Sequence, residues 1–302
     1  MNTMPELKTI RTPTLEIAYH DHGASTGWPV ILSHGFPYSI HAYEEVAPLL
    51  FAQGARVVIP YLRGYGPTRF LSPSTMRSGQ QAALGTDLLA LIHALGIEKA
   101  IIAGFDWGGL ASCVVAALWP DRVEGLVSYA GYDIIDRPAQ RRAAGPGLEC
   151  VMWYQHLFQS ERGRECLQGN RKELCRILWE QWSPTWEFSD EVFEKTAASF
   201  DNPDFVDVVI HCYRHVLGSE EGDPKLQELE ERLAKRPKIR VPCITLDGTK
   251  DPLKPGGTAS HNSMFTGRYE RWERDVGHAF PMEAPGVFAE AVLKIHQWAC
   301  HQ

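Results

Sequence analysis

A carboxylate stands at the centre of the sharpest local pattern in the sequence. The segment GFDWGG at 104–109 has Asp106 as its third residue, after the apolar run 99–103 and before the helical pattern 110–118. This order predicts a strand, a tight turn and a helix, and the glycines two residues before and after Asp106 let the turn expose its side chain. A carboxylate beside the positive end of a helix dipole can attack carbon without first losing a proton. The alternative is that Asp106 only caps the helix.

A second turn is expected to supply backbone donors to the first. His34-Gly35-Phe36-Pro37 follows a predicted strand at 30–33. From this position a backbone N–H can reach the tight turn around Asp106, which is called a nucleophile elbow when it exposes a reactive side chain, and help to form an oxyanion hole. Taken alone, the tetrapeptide is equally compatible with an ordinary turn at a strand end.

An acid and a base follow in the order that nucleophilic chemistry at such an elbow needs. Asp251 lies just past a predicted strand, and His278 follows the next predicted strand along the chain. With Asp106 they give the order nucleophile, acid, base, which is typical of hydrolases with a nucleophile elbow. We therefore expect these three side chains to meet.

Three other aspartates stand near predicted strand ends. Asp247 is expected in or near its strand, and Asp275 is too close to His278 along the chain to orient it. Asp133, at the end of an earlier strand, is the alternative acid.

The elements that would position these residues alternate between strands and helices. Residues 15–19 alternate in hydrophobicity, which predicts a half-buried strand near the start of the chain. Further short apolar runs, each bounded by turn residues, lie at 30–32, 56–59, 100–103 and 126–128. In the segments between them, apolar residues recur at the intervals typical of helices. The alternation predicts a parallel sheet covered by helices.

The middle of the chain has a different pattern. Strand-like runs disappear between 133 and 238, where tryptophans stand among amphipathic helical stretches, and return at 240–246 and 269–274 before a last helix at 287–298. We therefore expect a core interrupted by a helical cap. The predicted parts are 1–132 (core, first part), 133–238 (cap) and 239–302 (core, second part).

The composition excludes several classes of protein. Of the 302 residues, 44% are hydrophobic and 22% are charged, which is typical of a globular chain. The formal charge of −7 gives no reason to expect binding to nucleic acid or to a membrane surface. A polar start and the lack of an apolar run of about 20 residues predict a soluble protein of the cytoplasm. Seven scattered cysteines without a C-x-x-C pair predict buried, reduced thiols and no zinc site.

The motifs together resemble those of α/β-hydrolases of the epoxide hydrolase branch, along nearly the whole chain. The matching segments are HGFP at 34–37, RGYG at 63–66, GFDWGG at 104–109, TKD ending at Asp251 and GH at 277–278. In the cap, Trp153-Tyr154-Gln155 and Cys212-Tyr213-Arg214 resemble the two family segments that carry ring-opening tyrosines. The resemblance implies an α/β-hydrolase fold, with a mostly parallel central sheet flanked by helices and an inserted helical cap.

The resemblance also implies a mechanism without metal or organic cofactor. Asp106 would attack an apolar epoxide to form a hydroxyalkyl ester, and His278, oriented by Asp251, would activate the water that hydrolyses it. Tyr154 and Tyr213 would donate to the epoxide oxygen. From spacing alone, both tyrosines could equally be packing residues of cap helices.

Further residues receive supporting roles from the same resemblance. The backbone N–H groups of Phe36 and Trp107 would form the oxyanion hole, and the two side chains would line the substrate pocket with Gln155. The loop around them would be supported by the remaining residues of the tetrapeptide, which are His34, Gly35 and Pro37.

Two other functions remain open. A haloalkane dehalogenase would use the same aspartate and base, with Trp107 donating to the halide, although Phe36 stands where that family commonly has a polar donor and the paired tyrosines would have no task. A non-catalytic ligand-binding module would also share the fold, but Asp106, Asp251 and His278 are all present. The oligomeric state is open, with a homodimer as one candidate.

Overall fold

The computed structural model describes residues 6–301, which form one nine-stranded sheet and the helices packed against it. The strands are β1 (Lys8–Arg11), β2 (Leu15–His22), β3 (Trp28–Ser33), β4 (Ala55–Pro60), β5 (Arg69–Phe70), β6 (Ala100–Gly104), β7 (Val123–Tyr129), β8 (Cys243–Gly248) and β9 (Tyr269–Arg274). Their spatial order is β1-β2-β4-β3-β6-β7-β8-β9, and β5 pairs with β2. The pairs that involve β2 are antiparallel, and all pairs from β4 to β9 are parallel.

Helices occupy most of the connections between the strands. The α-helices are α1 (Val46–Phe51), α2 (Gln81–Ala94), α3 (Trp107–Leu118), α4 (Arg137–Gln140), α5 (Pro146–Val151), α6 (Trp153–Leu157), α7 (Glu161–Trp182), α8 (Asp190–Ala197), α9 (Phe205–Leu217), α10 (Gln227–Ala234), α11 (Phe280–Glu283) and α12 (Pro285–Cys300). Short 3₁₀ helices lie at Ile40–Tyr43, Pro120–Arg122, Ala198–Asp201, Pro224–Leu226 and Ala259–Met264. Within residues 6–301, none of these helices has both the length and the apolar character needed to cross a membrane.

The predicted fold class is confirmed. The central strands are almost entirely buried, as expected when helices cover both faces of a parallel sheet. The early amphipathic strand is β2, which joins the sheet antiparallel to its neighbours. One predicted strand is shorter than expected: β8 begins at Cys243, directly after Pro242, which has no N–H to donate to a ladder.

The segment between β7 and β8, where the sequence predicts the cap, carries the helices α4 to α10 and two 3₁₀ turns. The expectation of uniformly buried thiols is wrong for part of the set. All seven cysteines are free, and four are buried, but Cys150 and Cys300 are exposed.

Sheet register brings the predicted motifs together. Ser33 at the end of β3 pairs with Gly104 at the end of β6, so the turns that follow these two strands lie side by side. In the same way, Gly248 of β8 pairs with Arg274 of β9, which brings the loops carrying Asp251 and His278 together. All four turns leave the carboxyl edge of the sheet, where ligands bind in open α/β sheets.

Candidate active site

Asp106 occupies a sharp turn between β6 and α3. Its backbone has φ +52° and ψ −127°, an uncommon region for a residue other than glycine, and its side chain caps α3 by accepting from the Trp107 N–H. The turn requires glycine at two of its neighbours because a Cβ at Gly108 would overlap the carbonyl group of Ser33, and one at Gly104 would overlap the backbone of Gly108. The elbow therefore holds the carboxylate in place by backbone geometry.

The two predicted oxyanion-hole donors both contact the Asp106 carboxylate. The backbone N–H groups of Phe36 and Trp107 each donate to Oδ1 at 2.7 Å. Gly35 makes this approach possible, since a Cβ there would overlap the Asp106 side chain. Two backbone donors thus fix Oδ1 of the carboxylate, and Oδ2 is left to take part in a reaction.

His34 and Pro37 anchor the loop that carries these donors. The Leu62 N–H donates to His34 Nε2 at 3.2 Å, so the ring proton lies on Nδ1, which donates to the Gly35 carbonyl at 3.0 Å. Burial lowers the pKa of His34 to about 4, which keeps the ring neutral. The Pro37 carbonyl accepts from Trp179 Nε1 at 3.0 Å, a contact that ties the loop to α7.

His278 lies between the two carboxylates that the sequence assigned to it. Its Nδ1 donates to Asp251 Oδ2 at 2.8 Å, and its Nε2 lies 3.4 Å from Asp106 Oδ2. Asp251 also accepts at Oδ1 from the Leu253 N–H at 2.8 Å. Burial tends to raise the pKa of Asp251, but the neighbouring His278 and these hydrogen bonds outweigh it and hold the pKa below its usual range. The structure therefore brings together the three side chains that the sequence singled out.

The charge state of His278 depends on both carboxylates. Burial alone would lower the pKa of this histidine, but the charges and hydrogen bonds of Asp251 and Asp106 raise it to about 10. While Asp106 is anionic, the imidazole therefore carries a proton at neutral pH.

Tyr129 is a member of the site that the sequence reasoning missed. It is the last residue of β7, and its hydroxyl lies 2.8 Å from Asp251 Oδ2 and 2.9 Å from the Gly277 carbonyl, donating to one of them at a time. No local pattern pointed to Tyr129, because its place beside the loop that carries Asp251 follows from the pairing of β7 with β8.

The two predicted ring-opening tyrosines face each other across the cap. Tyr154 lies on α6 and Tyr213 on α9, with ring centroids 5.2 Å apart and planes at 89°. Both side chains are almost fully buried, yet both line one cavity of about 810 Å³ together with Asp106 and His278. Burial raises the pKa of each phenol above its ordinary value, so both remain protonated donors.

The expected pocket residues divide into two groups. Trp107 and Gln155 line the cavity, and Gln155 Nε2 donates to the Tyr154 hydroxyl oxygen at 3.1 Å. The Phe36 side chain, which was expected in the pocket, is not among the groups that line the cavity; its ring is fully buried, with the Trp107 and Tyr213 centroids 5.5 Å away. Phe36 contributes its backbone N–H to the site and its ring to the packing.

The alternative acids do not reach His278. Asp133 lines the cavity but pairs with Lys254 Nζ at 3.4 Å, so the reserve assignment of Asp133 as the acid is wrong. Asp247 accepts from the hydroxyl of Thr258 at 2.7 Å and is buried, as its predicted place in a strand implies. Among residues 6–301, no group of three or more potential ligand side chains is arranged to hold a metal ion.

Asp275, which the sequence already excludes as the acid, has other partners. Its carboxylate accepts from the Thr249 hydroxyl at 2.8 Å and lies 3.2 Å from Lys250 Nζ, on the exposed surface. This carboxylate belongs to a surface network.

Known proteins share this fold and this sequence pattern. A family model described as "alpha/beta hydrolase fold" matches residues 29–155. The soluble epoxide hydrolase of Corynebacterium sp. (strain C12) is 35% identical over 90% of this chain and 91% of its own length. The crystal structure of a "putative epoxide hydrolase" from Klebsiella pneumoniae is 44% identical, covers 97% of both chains and superimposes with a TM-score of 0.95.

Other matches are partial or more distant. Epoxide hydrolase 3 of Siraitia grosvenorii is 33% identical over 45% of this chain, and the match spans 42% of that protein. The chain thus spans about two fifths of the length of several of the curated relatives that it matches. The haloalkane dehalogenase of Psychrobacter cryohalolentis is 25% identical over 84% of this chain and 77% of its own length.

Proposed function

The chain belongs to the epoxide hydrolase family of the α/β-hydrolase fold, and from this premise we propose that it hydrolyses epoxides to vicinal diols through an ester on Asp106. The proposal rests on the set of groups that line one cavity. It contains a carboxylate with one oxygen held by backbone donors, a histidine in reach of the other oxygen, and two protonated phenols.

In the first step, Oδ2 of Asp106 attacks an oxirane carbon, and the bond from that carbon to the epoxide oxygen breaks. Negative charge develops on the oxygen as the ring opens. The hydroxyls of Tyr154 and Tyr213 are the donors that would stabilise this charge, and one of them would transfer its proton to the alkoxide. The product is a hydroxyalkyl ester of Asp106.

In the second step, water attacks the ester carbonyl carbon of Asp106. The carbonyl oxygen is the former Oδ1, which the N–H groups of Phe36 and Trp107 already hold at 2.7 Å, so they would stabilise the tetrahedral oxyanion without rearrangement. His278 takes a proton from the water, and the departing alkoxide of the diol receives it. The second proton of the water is left on the Asp106 carboxyl group and would pass to His278, which restores the carboxylate and the protonated imidazole of the resting site.

The pKa of His278 supports this order of events. Asp106 is one of the two carboxylates that raise this pKa to about 10, and ester formation removes its negative charge. The pKa of His278 must therefore fall when the ester forms, so its imidazolium would release the proton that replaces the one given up by the tyrosine, and the neutral imidazole can then act as a base. The first step thus prepares the base for the second.

A single turnover in oxygen-18 water tests the ester. The water oxygen should enter the Asp106 carboxylate, because water attacks the carbonyl carbon of that residue, and mass spectrometry of the peptide that contains it would detect the label. Oxygen-18 found in the diol and absent from this peptide after one turnover would exclude the ester route.

Haloalkane dehalogenation is the second candidate. Trp107 follows the nucleophile and lines the cavity, where its indole could donate to a halide, and the relative from Psychrobacter is named a haloalkane dehalogenase. The two phenols in the cavity favour epoxides. Halide release from 1,2-dibromoethane without diol formation from styrene oxide would reverse the choice.

The remaining assignments are part of the same proposal. Residues 133–238 form the cap that closes the cavity, between the two parts of the core at 1–132 and 239–302. The substrate is a small, largely apolar epoxide, and its second reactant is water. A location in the cytoplasm stays a prediction.

A further inference from the structure

One wall of the catalytic cavity carries a cluster of basic side chains. Arg236, Lys254 and His261, here called the basic wall, line the same cavity as Asp106 and His278. Burial lowers the pKa of His261, and the charges of Lys254 and Arg236 lower it further. Like charges at one wall repel each other, and Asp133 and Asp136 each offset one of the permanent cations.

The two permanent cations of the basic wall use few of their donors within the described chain. Lys254 Nζ contacts Asp133 Oδ1 at 3.4 Å, and Arg236 Nη1 contacts Asp136 Oδ2 at 3.3 Å. Both distances are long for charge-assisted hydrogen bonds. Since an ammonium has three N–H donors and a guanidinium five, most of this donor capacity can still serve a ligand.

His261 adds a donor of defined direction. Its Nδ1 accepts from the Tyr132 N–H at 3.1 Å, so the proton of the neutral ring lies on Nε2. Acidic groups also face this wall: Asp133 and Asp136 each pair with one of its cations, and burial raises the pKa of Asp133 to about 7 in spite of Lys254. A basic wall is also unexpected from composition, since the chain as a whole has a formal charge of −7.

We propose that Arg236, Lys254 and His261 bind a carboxylate group of the substrate, so that the preferred epoxides have an apolar body and one anionic end. The inference rests on the proposed function and refines the substrate class. A carboxylate has two oxygens that each accept more than one hydrogen bond, which suits a wall that offers ammonium, guanidinium and imidazole donors. The catalytic aspartate and the phenols would then act on the oxirane of the same molecule.

The first test compares pairs of substrates. Terminal epoxides that carry a carboxylate at the other end of an alkyl chain are assayed against the carboxamides of the same chain length, over a series of lengths. The wild-type protein should prefer the carboxylate in kcat/KM at one or more lengths. Lys254→Met should reduce this preference by about tenfold, the effect of one charge-assisted hydrogen bond, and Lys254→Arg should keep most of it.

Lys250→Met is the matched control. Lys250 lies four residues earlier, is similarly exposed and pairs with Asp275 away from the cavity. This variant should keep the wild-type preference. Equal kcat/KM for carboxylates and carboxamides in the wild-type protein, or a preference that survives Lys254→Met, would overturn the inference.

A second measurement does not depend on turnover. Calorimetry should detect binding of hexanoate but weaker binding of hexanamide, and the difference should disappear in Lys254→Met. Hydrolysis of styrene oxide without any preference for carboxylates overturns the inference and leaves the proposed function in place. If no epoxide is hydrolysed, the proposed function fails, and a hexanoate preference that depends on Lys254 still supports the basic wall.

Discussion

The site joins two regions that hold their functional groups by different means. In the core, Asp106 is fixed by two backbone N–H groups, and Asp251 is fixed by a backbone N–H and the Tyr129 hydroxyl. In the cap, Tyr154 and Tyr213 are held mainly by their position on helices and by contacts between aromatic rings. Hydrogen bonds fix the core groups in direction, whereas packing fixes the cap groups in place.

This difference corresponds to the two proposed chemical steps. The phenols of the cap would act only while the epoxide ring opens, and His278 with Asp251 would act only while the ester is hydrolysed. Variants of the core and variants of the cap should therefore fail at different stages, and measurements of single steps can separate the two regions.

The largest effect is expected from His278→Gln. Removal of the base should slow steady-state turnover by about 10⁴-fold, at the upper end of the range for general base catalysis, while Asp106 can still be alkylated. The ester should therefore accumulate, and intact-protein mass spectrometry after mixing with styrene oxide should show the mass of protein plus epoxide. Asp275→Asn, three residues away on the exposed surface, is the control. Rapid turnover by His278→Gln would show that the base is misassigned.

A smaller effect is expected from the cap. The double variant Tyr154→Phe/Tyr213→Phe should slow ring opening by about 10³-fold, since removal of one donor to a developing oxyanion typically costs about 10²- to 10³-fold and the second phenol can partly replace the first. Each single variant should lose less. The expected readout is slow formation of the ester, measured in a rapid-mixing experiment, without accumulation of ester.

Tyr132→Phe offers a control for the cap variants. This tyrosine also lines the cavity, but its hydroxyl donates to the Pro237 carbonyl at 2.8 Å. Its loss should leave the rate of ester formation close to that of the wild type. Full activity of the Tyr154→Phe/Tyr213→Phe variant would remove both phenols from the mechanism.

The same contrast explains what the sequence could predict. The elbow around Asp106 leaves a local signature because its backbone requires glycines at fixed offsets, and the chain order of the three core residues adds to it. The spacing of Tyr154 and Tyr213 fits helix packing just as well, and their place in the cavity depends on how α6 and α9 pack. Only the resemblance to a family pointed to them before the structure was known.

Other features of the site were beyond the reach of local patterns. The ring of Phe36 was expected in the pocket, but it is fully buried and packs against Trp107, while the backbone N–H of Phe36 donates to Asp106. Tyr129 was missed because its contact with Asp251 joins residues 122 positions apart and follows from strand order. Sequence motifs indicate where the backbone must bend, whereas side-chain contacts between distant positions can be identified only once the fold is known.

A pH titration of His278 can sharpen the link between the two steps. Asp106 is one of the carboxylates that raise the pKa of this histidine to about 10, so Asp106→Asn should lower it. The expected fall is about one unit or more, a tenfold or greater loss of proton affinity, and it brings the pKa towards the ordinary value for histidine near 6.5. The imidazole resonances measured by NMR over pH would report it, with Asp275→Asn as the control. An unchanged pKa would mean that ester formation does not prepare the base.

The smallest effect is expected from Tyr129→Phe, which tests how far the core depends on its hydrogen bonds. The phenol donates to the buried Asp251 carboxylate, but the Leu253 N–H and His278 continue to hold that group after the change. Turnover should therefore fall by about fivefold, which is less than the loss expected when the only hydrogen bond to a charged group is removed.

The stage of the loss distinguishes a positioning role of Tyr129 from a purely structural one. If Tyr129 positions the acid and thereby the base, ester hydrolysis should slow while ester formation keeps its rate. Tyr43→Phe is the matched control, because it removes another buried hydroxyl, which donates to the Ser33 carbonyl at 2.8 Å, away from the acid and the base. Equal losses in both steps, or the same loss in Tyr43→Phe, would show that Tyr129 only stabilises the fold, and the core would then depend on its backbone donors alone.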